Sequence, residues 1–507
     1  MERSFAPEAS VTLGLDRSSA APLYRQLYRG LREGILAGTL PAGSRLPSVR
    51  VLMRELKVSR NTVEGALAQL SAEGYLEARV GSGTYVAVAL PDDTLRAGRA
   101  RGTARGRVSP GGDSPGGCEG LSRRGATLAG TPVSASGRRR ATAPRPFRPA
   151  VPAVDEFPLK VWRGLAGEFW RRPPRGSLGY GEPAGYRPLR MAIAEHLRAY
   201  RAVRCSWEQV IVVSGSQQAL DLCARLLLDE GDEAWIEDPC YLGARGALSA
   251  NGARLVPVPV DGEGLDVASG ERASPDARLA CVTPSHQYPT GATMSLSRRL
   301  ALLGWASRSG AWVLEDDYDG EFRYSGRPLS SLQGLDDEGR VIYVGTFSKV
   351  LSPALRMGYV VVPPGLVNAF EGARALADRH PPVPEQAILA EFVAEGHFAR
   401  HLRRMRRLYA ERQQALVDAA KGELAGLLEV RPSGAGLHLV GRLPDGADDA
   451  EVSVRLAAGG VEAPPLSAHR FSSSGTPGLV LGYAAFDETV IRDGVGRMAG
   501  TLQEAAS

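Results

Sequence analysis

Cysteine and lysine are both scarce in this 507-residue chain. The five cysteines (Cys118, Cys205, Cys223, Cys240 and Cys281) are scattered, odd in number and form no CxxC pair. That excludes a disulfide framework and a structural zinc, so no metal is expected and a reduced, cytoplasmic setting is favoured. No uninterrupted apolar run reaches the roughly 18 residues of a membrane-spanning helix. The N-terminus, MERSFAPEAS, lacks the basic start and apolar run of a secretory signal. Lysine occurs only at Lys57, Lys160, Lys349 and Lys421; arginine carries the remaining positive charge. What is present is a composition of 43% hydrophobic and 23% charged residues, which suits a globular protein. At roughly 100–200 residues per domain, the length calls for several domains.

The net charge of +5 is unevenly spread. Residues 1–90 hold 11 basic and 8 acidic side chains, residues 91–150 hold 12 and 4, and residues 151–507 hold 38 and 44. A basic N-terminal part on an acidic body implies that only one end meets a polyanion.

Four segments follow from the pattern. Residues 1–21 form an N-terminal tail. Residues 22–88 read as a compact unit. Leu23, Leu27, Leu31, Ile35 and Leu36 recur at helical spacing, which predicts a helix over about 22–37. Ser48 caps a second helix through Leu56 and Ser59 a third through about Glu73. YLEA and TYVAV then flank a Gly-Ser-Gly turn, a hairpin signal. This order is that of a winged helix–turn–helix. Residues 89–146, rich in Gly, Ala, Ser, Pro and Arg, predict a flexible basic linker. At about 5–6 Å × √n, its ~60 residues span roughly 40–45 Å. Residues 147–507 alternate helical patterns with the apolar runs QVIVVSG, EAWIED, ARLVPVPV, RLACVTP, AWVLED, RVIYVG and MGYVVVP. Such runs predict parallel strands buried on both faces, hence a large α/β domain. After about residue 395 a long helical stretch leads into an α+β tail.

Lys349 follows one of these strands, in VIYVGTFSKVLSPALRMGYV. A lysine, unlike an arginine, can deprotonate and form an imine. The bland alternative is a surface lysine, but its surroundings favour chemistry. Ser214, Gly215, Ser216 and Gln217 join a strand to a helix, where backbone N–H groups accept a phosphate. Glu315, Asp316, Asp317 and Tyr318 end another strand; a carboxylate there can hold a protonated ring nitrogen, the alternative being a solvated charge run. Tyr241 lies just past a third strand and can stack on a flat ring. Thr346, Ser348 and Arg356 surround the lysine. A cofactor with a phosphate, an aldehyde and a pyridinium would use all of these groups.

SGSQQALDL, EDPCY, TPSHQYPTG, EDDYDGEF and TFSKVLSPALRMG together resemble the fold type I aminotransferases. Joined to a GntR-type winged helix–turn–helix, they resemble the MocR family of bacterial regulators over about residues 22–87 and 147–490. The resemblance implies an α/β protein with an N-terminal winged helix–turn–helix and a large fold type I aminotransferase-like domain dependent on pyridoxal 5′-phosphate. It implies that Lys349 forms the internal aldimine, Asp316 pairs with the pyridine nitrogen, Tyr318 bonds the ring hydroxyl and Tyr241 stacks on the ring. It assigns the phosphate to Gly215, Ser216, Gln217, Ser348 and Arg356. Tyr180 resembles the tyrosine that reaches across a homodimer interface to the phosphate. Arg470 resembles the arginine that clamps an effector carboxylate, a task suited to a bidentate guanidinium. One departure is Tyr288, which stands where the enzymes carry asparagine before Pro-Thr-Gly, with His286 and Gln287 before it.

In the N-terminal unit, Ser59, Arg60, Asn61 and Thr62 open the candidate recognition helix, the part that meets base edges. Arginine can grip guanine and asparagine adenine. Arg45 and Arg50 flank the second helix and resemble phosphate or base contacts of GntR proteins. Gly81, Ser82 and Gly83 would form the wing tip. The expected partners are a double-stranded DNA operator and a small effector, pyridoxal 5′-phosphate or an amino compound, controlling vitamin B6 or amino-compound genes. The leading reading is thus a regulator that uses its aminotransferase-like body for sensing. A working aminotransferase with a DNA-binding extension is the alternative, and a nonspecific basic architectural protein is a third.

Overall fold

The computed structural model describes residues 13–19, 21–79, 82–88, 121–131, 145–325, 330–472 and 475–506. It divides into two units, Met1–Pro115 and Gly116–Ser507.

The first unit is a winged helix–turn–helix. Its opening helix, Leu23–Leu36, turns Leu27, Leu31 and Ile35 inward at a helical period. Ser48 caps Val49–Leu56 by accepting from the Val51 amide at 3.3 Å. Ser59 caps Arg60–Ala72 through the Thr62 amide at 3.2 Å. Lys57, between them, adopts a left-handed conformation that ends the second helix. The third helix buries Val63, Ala66, Leu67 and Leu70 on the same core as the first. Strands β1 (Leu76–Arg79) and β2 (Gly83–Val86) pair antiparallel, Leu76 opposite Val86 and Arg79 opposite Gly83.

The expected flexible linker is corrected over one stretch. Arg123–Gly130 is helical, with Ser122 accepting from the Gly125 amide at 3.0 Å. Arg124 ties it to the body by donating to the Ala250 carbonyl at 3.1 Å and to the Asn251 side chain. Composition missed it because polar bonds rather than apolar burial hold this helix. Residues 89–120 and 132–144 of that segment lie outside the described residues.

The second unit is built on an eight-stranded sheet. Its strands are β3 (Val210–Val213), β4 (Glu233–Asp238), β5 (Arg254–Asp261), β6 (Gly264–Leu265), β7 (Leu279–Val282), β8 (Trp312–Asp317), β9 (Val341–Thr346) and β10 (Gly358–Val361). Their order is β3-β10-β9-β8-β7-β4-β5-β6. In β3, Val210 and Val212 enter one core cluster and Ile211 and Val213 another. Apolar side chains on both faces are what an unbroken run such as VIVV requires. Two expectations fail. MGYVVVP forms β10, which runs antiparallel to β3 and β9; a buried strand reads the same in either direction. ARLVPVPV forms β5, which is partly exposed because only the two-residue β6 lies beyond it.

Helices Ser216–Leu227 and Leu242–Ala250 pack against the core on one face of this sheet. The 27-residue helix His397–Glu423 leads to a small antiparallel sheet of β11 (Glu429–Val430), β12 (His438–Arg442) and β13 (Gly478–Gly482). The segment 145–150 docks on it. The amides of Gly482 and Glu462 donate to the Phe147 and Pro146 carbonyls at 2.8 and 2.9 Å, and Phe147 is fully buried. Ser59→Ala is expected to lower the stability of the first unit by about 0.5–2 kcal/mol in chemical denaturation, and Ser59→Asp to retain it.

Candidate functional site

Strands β3, β4, β7, β8 and β9 all run in one direction, so their carboxyl ends share one edge of the sheet. Ligands of open α/β sheets bind at that edge. Each expected residue follows from it. Gly215 to Gln217 come after β3, Tyr241 after β4, Asp316 and Tyr318 at the end of β8, and Ser348 and Lys349 after β9. Arg356 precedes β10, the strand that returns from the same edge.

These nine residues, with Ala150, Thr283, Tyr288 and Thr346, line one cavity of about 150 Å³. Lys349 Nζ donates to the Ala150 carbonyl at 2.7 Å. Burial lowers the lysine to about 8, against the pull of the Asp319 and Asp316 carboxylates. About a tenth of the amine is therefore neutral near pH 7, the form that attacks an aldehyde. Burial pushes Asp316 up to about 7, with Asp317 adding to the rise. Asp316 Oδ1 and Ser348 Oγ are buried and lack any hydrogen-bond partner. Gly215 adopts φ +102°, and a Cβ there would stand 3.3 Å from the Arg356 guanidinium. The amides of Ser216 and Gln217 open a helix and have no partner within it. An orphaned carboxylate oxygen at one end and amides, a hydroxyl and a guanidinium at the other fit a cofactor bearing a pyridinium and a phosphate.

The acidic run is no solvated face. Glu315 accepts from the Leu332 and Gln333 amides, each at 2.9 Å, and Asp317 binds Arg201 at 2.6 Å and the Tyr343 hydroxyl at 2.6 Å. Asp316 alone of these three is left for the cavity. Gln287 braces Glu237 and Thr290, so it serves structure. Tyr180 does not reach the cavity of its own chain and is 87% exposed, beside Arg379 and His380. Arg470, expected as an effector clamp, also lies outside the cavity. Its guanidinium donates to the Thr476 carbonyl at 2.7 Å and borders a neighbouring cleft.

Sequence reasoning missed Ala150, whose contribution is a backbone carbonyl with no side-chain signature. It also missed the buried cluster of His286, Asp319 and His438. The second histidine opens β12, and no motif in the sequence marked it.

In the first unit, Arg60 is exposed and its Nε stands 2.8 Å from Glu64 Oε1. Asn61 and Arg50 are exposed. Ser59 and Thr62 are engaged with each other, their hydroxyls 2.8 Å apart, so both serve the cap. Arg45 packs its guanidinium on Gly83, where a Cβ would meet Nε at 2.9 Å. The Ser82 hydroxyl is 2.6 Å from that of Tyr85. Gly81 lies outside the described residues.

Residues 158–480 match the family model described as aminotransferase class I and II, and residues 23–86 match that of the bacterial regulatory proteins, gntR family. The probable rhizopine catabolism regulatory protein MocR of Rhizobium meliloti is 45% identical over 95% of this chain and 94% of its own length. The chain belongs to the MocR family. The pyridoxine biosynthesis regulator PdxR of Corynebacterium glutamicum is 31% identical, covering 96% of this chain and 97% of PdxR. A Pyrococcus horikoshii kynurenine aminotransferase, solved with PMP, superposes with a TM-score of 0.67 at 30% identity, over 73% of this chain and 96% of the enzyme. This MocR-family chain thus pairs a DNA-binding GntR-type module with a fold type I aminotransferase domain. No helix among its described residues is long and apolar enough to cross a membrane.

Two outcomes follow. The rate at which the protein captures pyridoxal 5′-phosphate, read by stopped-flow absorbance, should rise through about pH 8 and level off above it. Asp319→Asn removes a charge that favours the ammonium and should move that inflection to lower pH. Arg60→Ala should weaken binding to DNA selected from a random pool by about 1–3 kcal/mol in fluorescence anisotropy, with little effect on scrambled DNA.

Proposed function

We propose that this MocR-family chain is a DNA-binding transcriptional regulator that senses pyridoxal 5′-phosphate, or an amino compound captured with it, at Lys349. The observation that carries the reading is a buried lysine lowered to about 8, in a cavity that also holds an unpartnered carboxylate oxygen and a helix start suited to a phosphate. The bound cofactor supplies an aldehyde that amines capture and a ring that withdraws electrons. Lys349 would hold the aldehyde group. Asp316 would keep a proton on the pyridine nitrogen, Tyr318 would serve the ring hydroxyl and Tyr241 the ring. Gly215, Ser216, Gln217, Ser348 and Arg356 would hold the phosphate. The body acts as a homodimer to which Tyr180 contributes across the interface, and the protein works in the cytoplasm. Target genes belong to vitamin B6 or amino-compound metabolism; the former is in line with the name of PdxR, a pyridoxine biosynthesis regulator.

A ligand shifts a regulator only by its differential affinity for two states. Footprinting upstream of the neighbouring genes, with and without cofactor and amines, should therefore show a ligand-dependent pattern. Lys349→Ala should still bind DNA, lose the response and give no borohydride-trapped adduct; a wild-type response in that variant would refute the reading. The completeness of the pocket also favours a second reading, a working aminotransferase. Sustained turnover with a 2-oxo acid at about 1–10³ per second would select it.

A further inference from the structure

The helix Arg123–Gly130 has no role so far, and in chain order it stands between the DNA-binding unit and the cavity residues. A lone helix of eight residues is unstable in water, because it makes too few bonds to repay its nucleus. Apolar burial compensates little: Leu121 and Leu128 are 50% and 55% exposed. An open cleft of about 620 Å³ remains beside it, lined by Ser122, Arg124, Arg225 and Asn251 among others. The body therefore supplies what keeps the helix formed. Arg124 donates to the Ala250 carbonyl at 3.1 Å and to Asn251 Oδ1. Thr131 sets its methyl against Gly246, where a Cβ would stand 2.9 Å away. A segment ordered by such contacts docks and undocks as one unit.

Arg124 grips the seam between the two helices that open at the cavity, Ser216–Leu227 and Leu242–Ala250. Two polar rungs cross that seam. Gln217 Nε2 donates to the Gly243 carbonyl at 3.0 Å, just past Tyr241. One turn further along the first helix, Asp221 Oδ1 accepts from Asn251 Nδ2 at 3.0 Å. Residues four apart share a helix face, and a turn of backbone-bonded helix carries a shift at one rung to the other. The first rung includes a cavity residue; the second is the one that Arg124 holds. Asn251 is 9% exposed and its amide is in full use. Its oxygen accepts from an arginine that only donates, and its nitrogen serves Asp221 and the Ala247 carbonyl at 2.9 Å. We infer that Arg124 is a positioning residue for the cofactor cavity: through Asn251 and Asp221 it sets the seam that carries Gln217 and Tyr241, so that docking of the helix and occupancy of the cavity favour each other. The inference rests on the reading of Lys349 above and deepens it by naming the segment through which occupancy reaches the chain that leads to the DNA-binding unit. Such coupling is reciprocal: the factor by which docking tightens the cofactor is the factor by which the cofactor favours docking.

The test uses full-length protein and two readouts: hydrogen exchange at the amides of residues 121–131, and the concentration of pyridoxal 5′-phosphate that half-saturates visible absorption. Saturating cofactor should slow exchange at 121–131 by about fivefold or more. Arg124→Ala should abolish that slowing and raise the half-saturating concentration by about the same factor. Gly246→Ala, which presses a methyl on that of Thr131 from the body side, should reproduce both losses. Adding Thr131→Ser removes the obstructing methyl, keeps the hydroxyl that donates to the Thr127 carbonyl at 2.7 Å, and should restore both readouts. A helix that is merely structural would lose its protection in Arg124→Ala while cofactor affinity stayed at the wild-type value. That result, exchange at 121–131 that ignores the cofactor, or a Gly246→Ala loss that Thr131→Ser leaves in place would each overturn the coupling while leaving the Lys349 reading intact. Protein that gains no visible absorption with the cofactor would overturn both.

Discussion

An amine taken out of water among carboxylates, with a peptide carbonyl as its hydrogen-bond partner, is the constraint on which the site depends. The fall of Lys349 from 10.5 to about 8 means that the fold disfavours its ammonium by roughly 3 kcal/mol relative to water. Asp316 and Asp319 restrain that fall, and removing them would carry it further. The lysine is thus held between a cation too stable to react and an amine too poorly anchored to stay in place. The rest of the cavity supports that balance. Parallel strands bring the carboxylate, the hydroxyls and the helix start to one edge, and Arg356, just before the antiparallel β10, sets its guanidinium beside Gly215.

Much of this was legible in the sequence, for physical reasons. Ser48 and Ser59 announce helix starts because a short hydroxyl satisfies the orphan amide of a first turn. Strands buried on both faces appear as unbroken apolar runs, and the polar residues just beyond them fall at the ligand edge. What escaped was information that letters do not carry. Strand direction is invisible in β10, since Tyr359-Val360-Val361 is equally apolar either way. The Ala150 carbonyl is common to every residue type. His286 and His438 are far apart in the chain, and only the approach of β12 to the loop after β7 brings their rings together. Arg470 shows the converse, a suggestive side chain whose backbone aims it at Thr476.

The acidic run of β8 separates fold from function within five residues. Glu315 stabilises a helix start, Asp317 neutralises Arg201, and Asp319 stands 3.0 Å from His286 Nδ1. Asp316 alone of them lines the cavity, with a buried oxygen that has no partner there. Such an oxygen is tolerated where a guest completes it, and that contrast among neighbours identifies the site more sharply than the shared aminotransferase architecture does.

The carbonyl that holds Lys349 belongs to the first stretch of the body, yet that stretch is itself held by β13, the last strand among the described residues. A ribosome therefore releases the helix–turn–helix long before the lysine acquires its anchor. Nascent or C-terminally truncated copies would carry a finished helix–turn–helix without a finished lysine cavity.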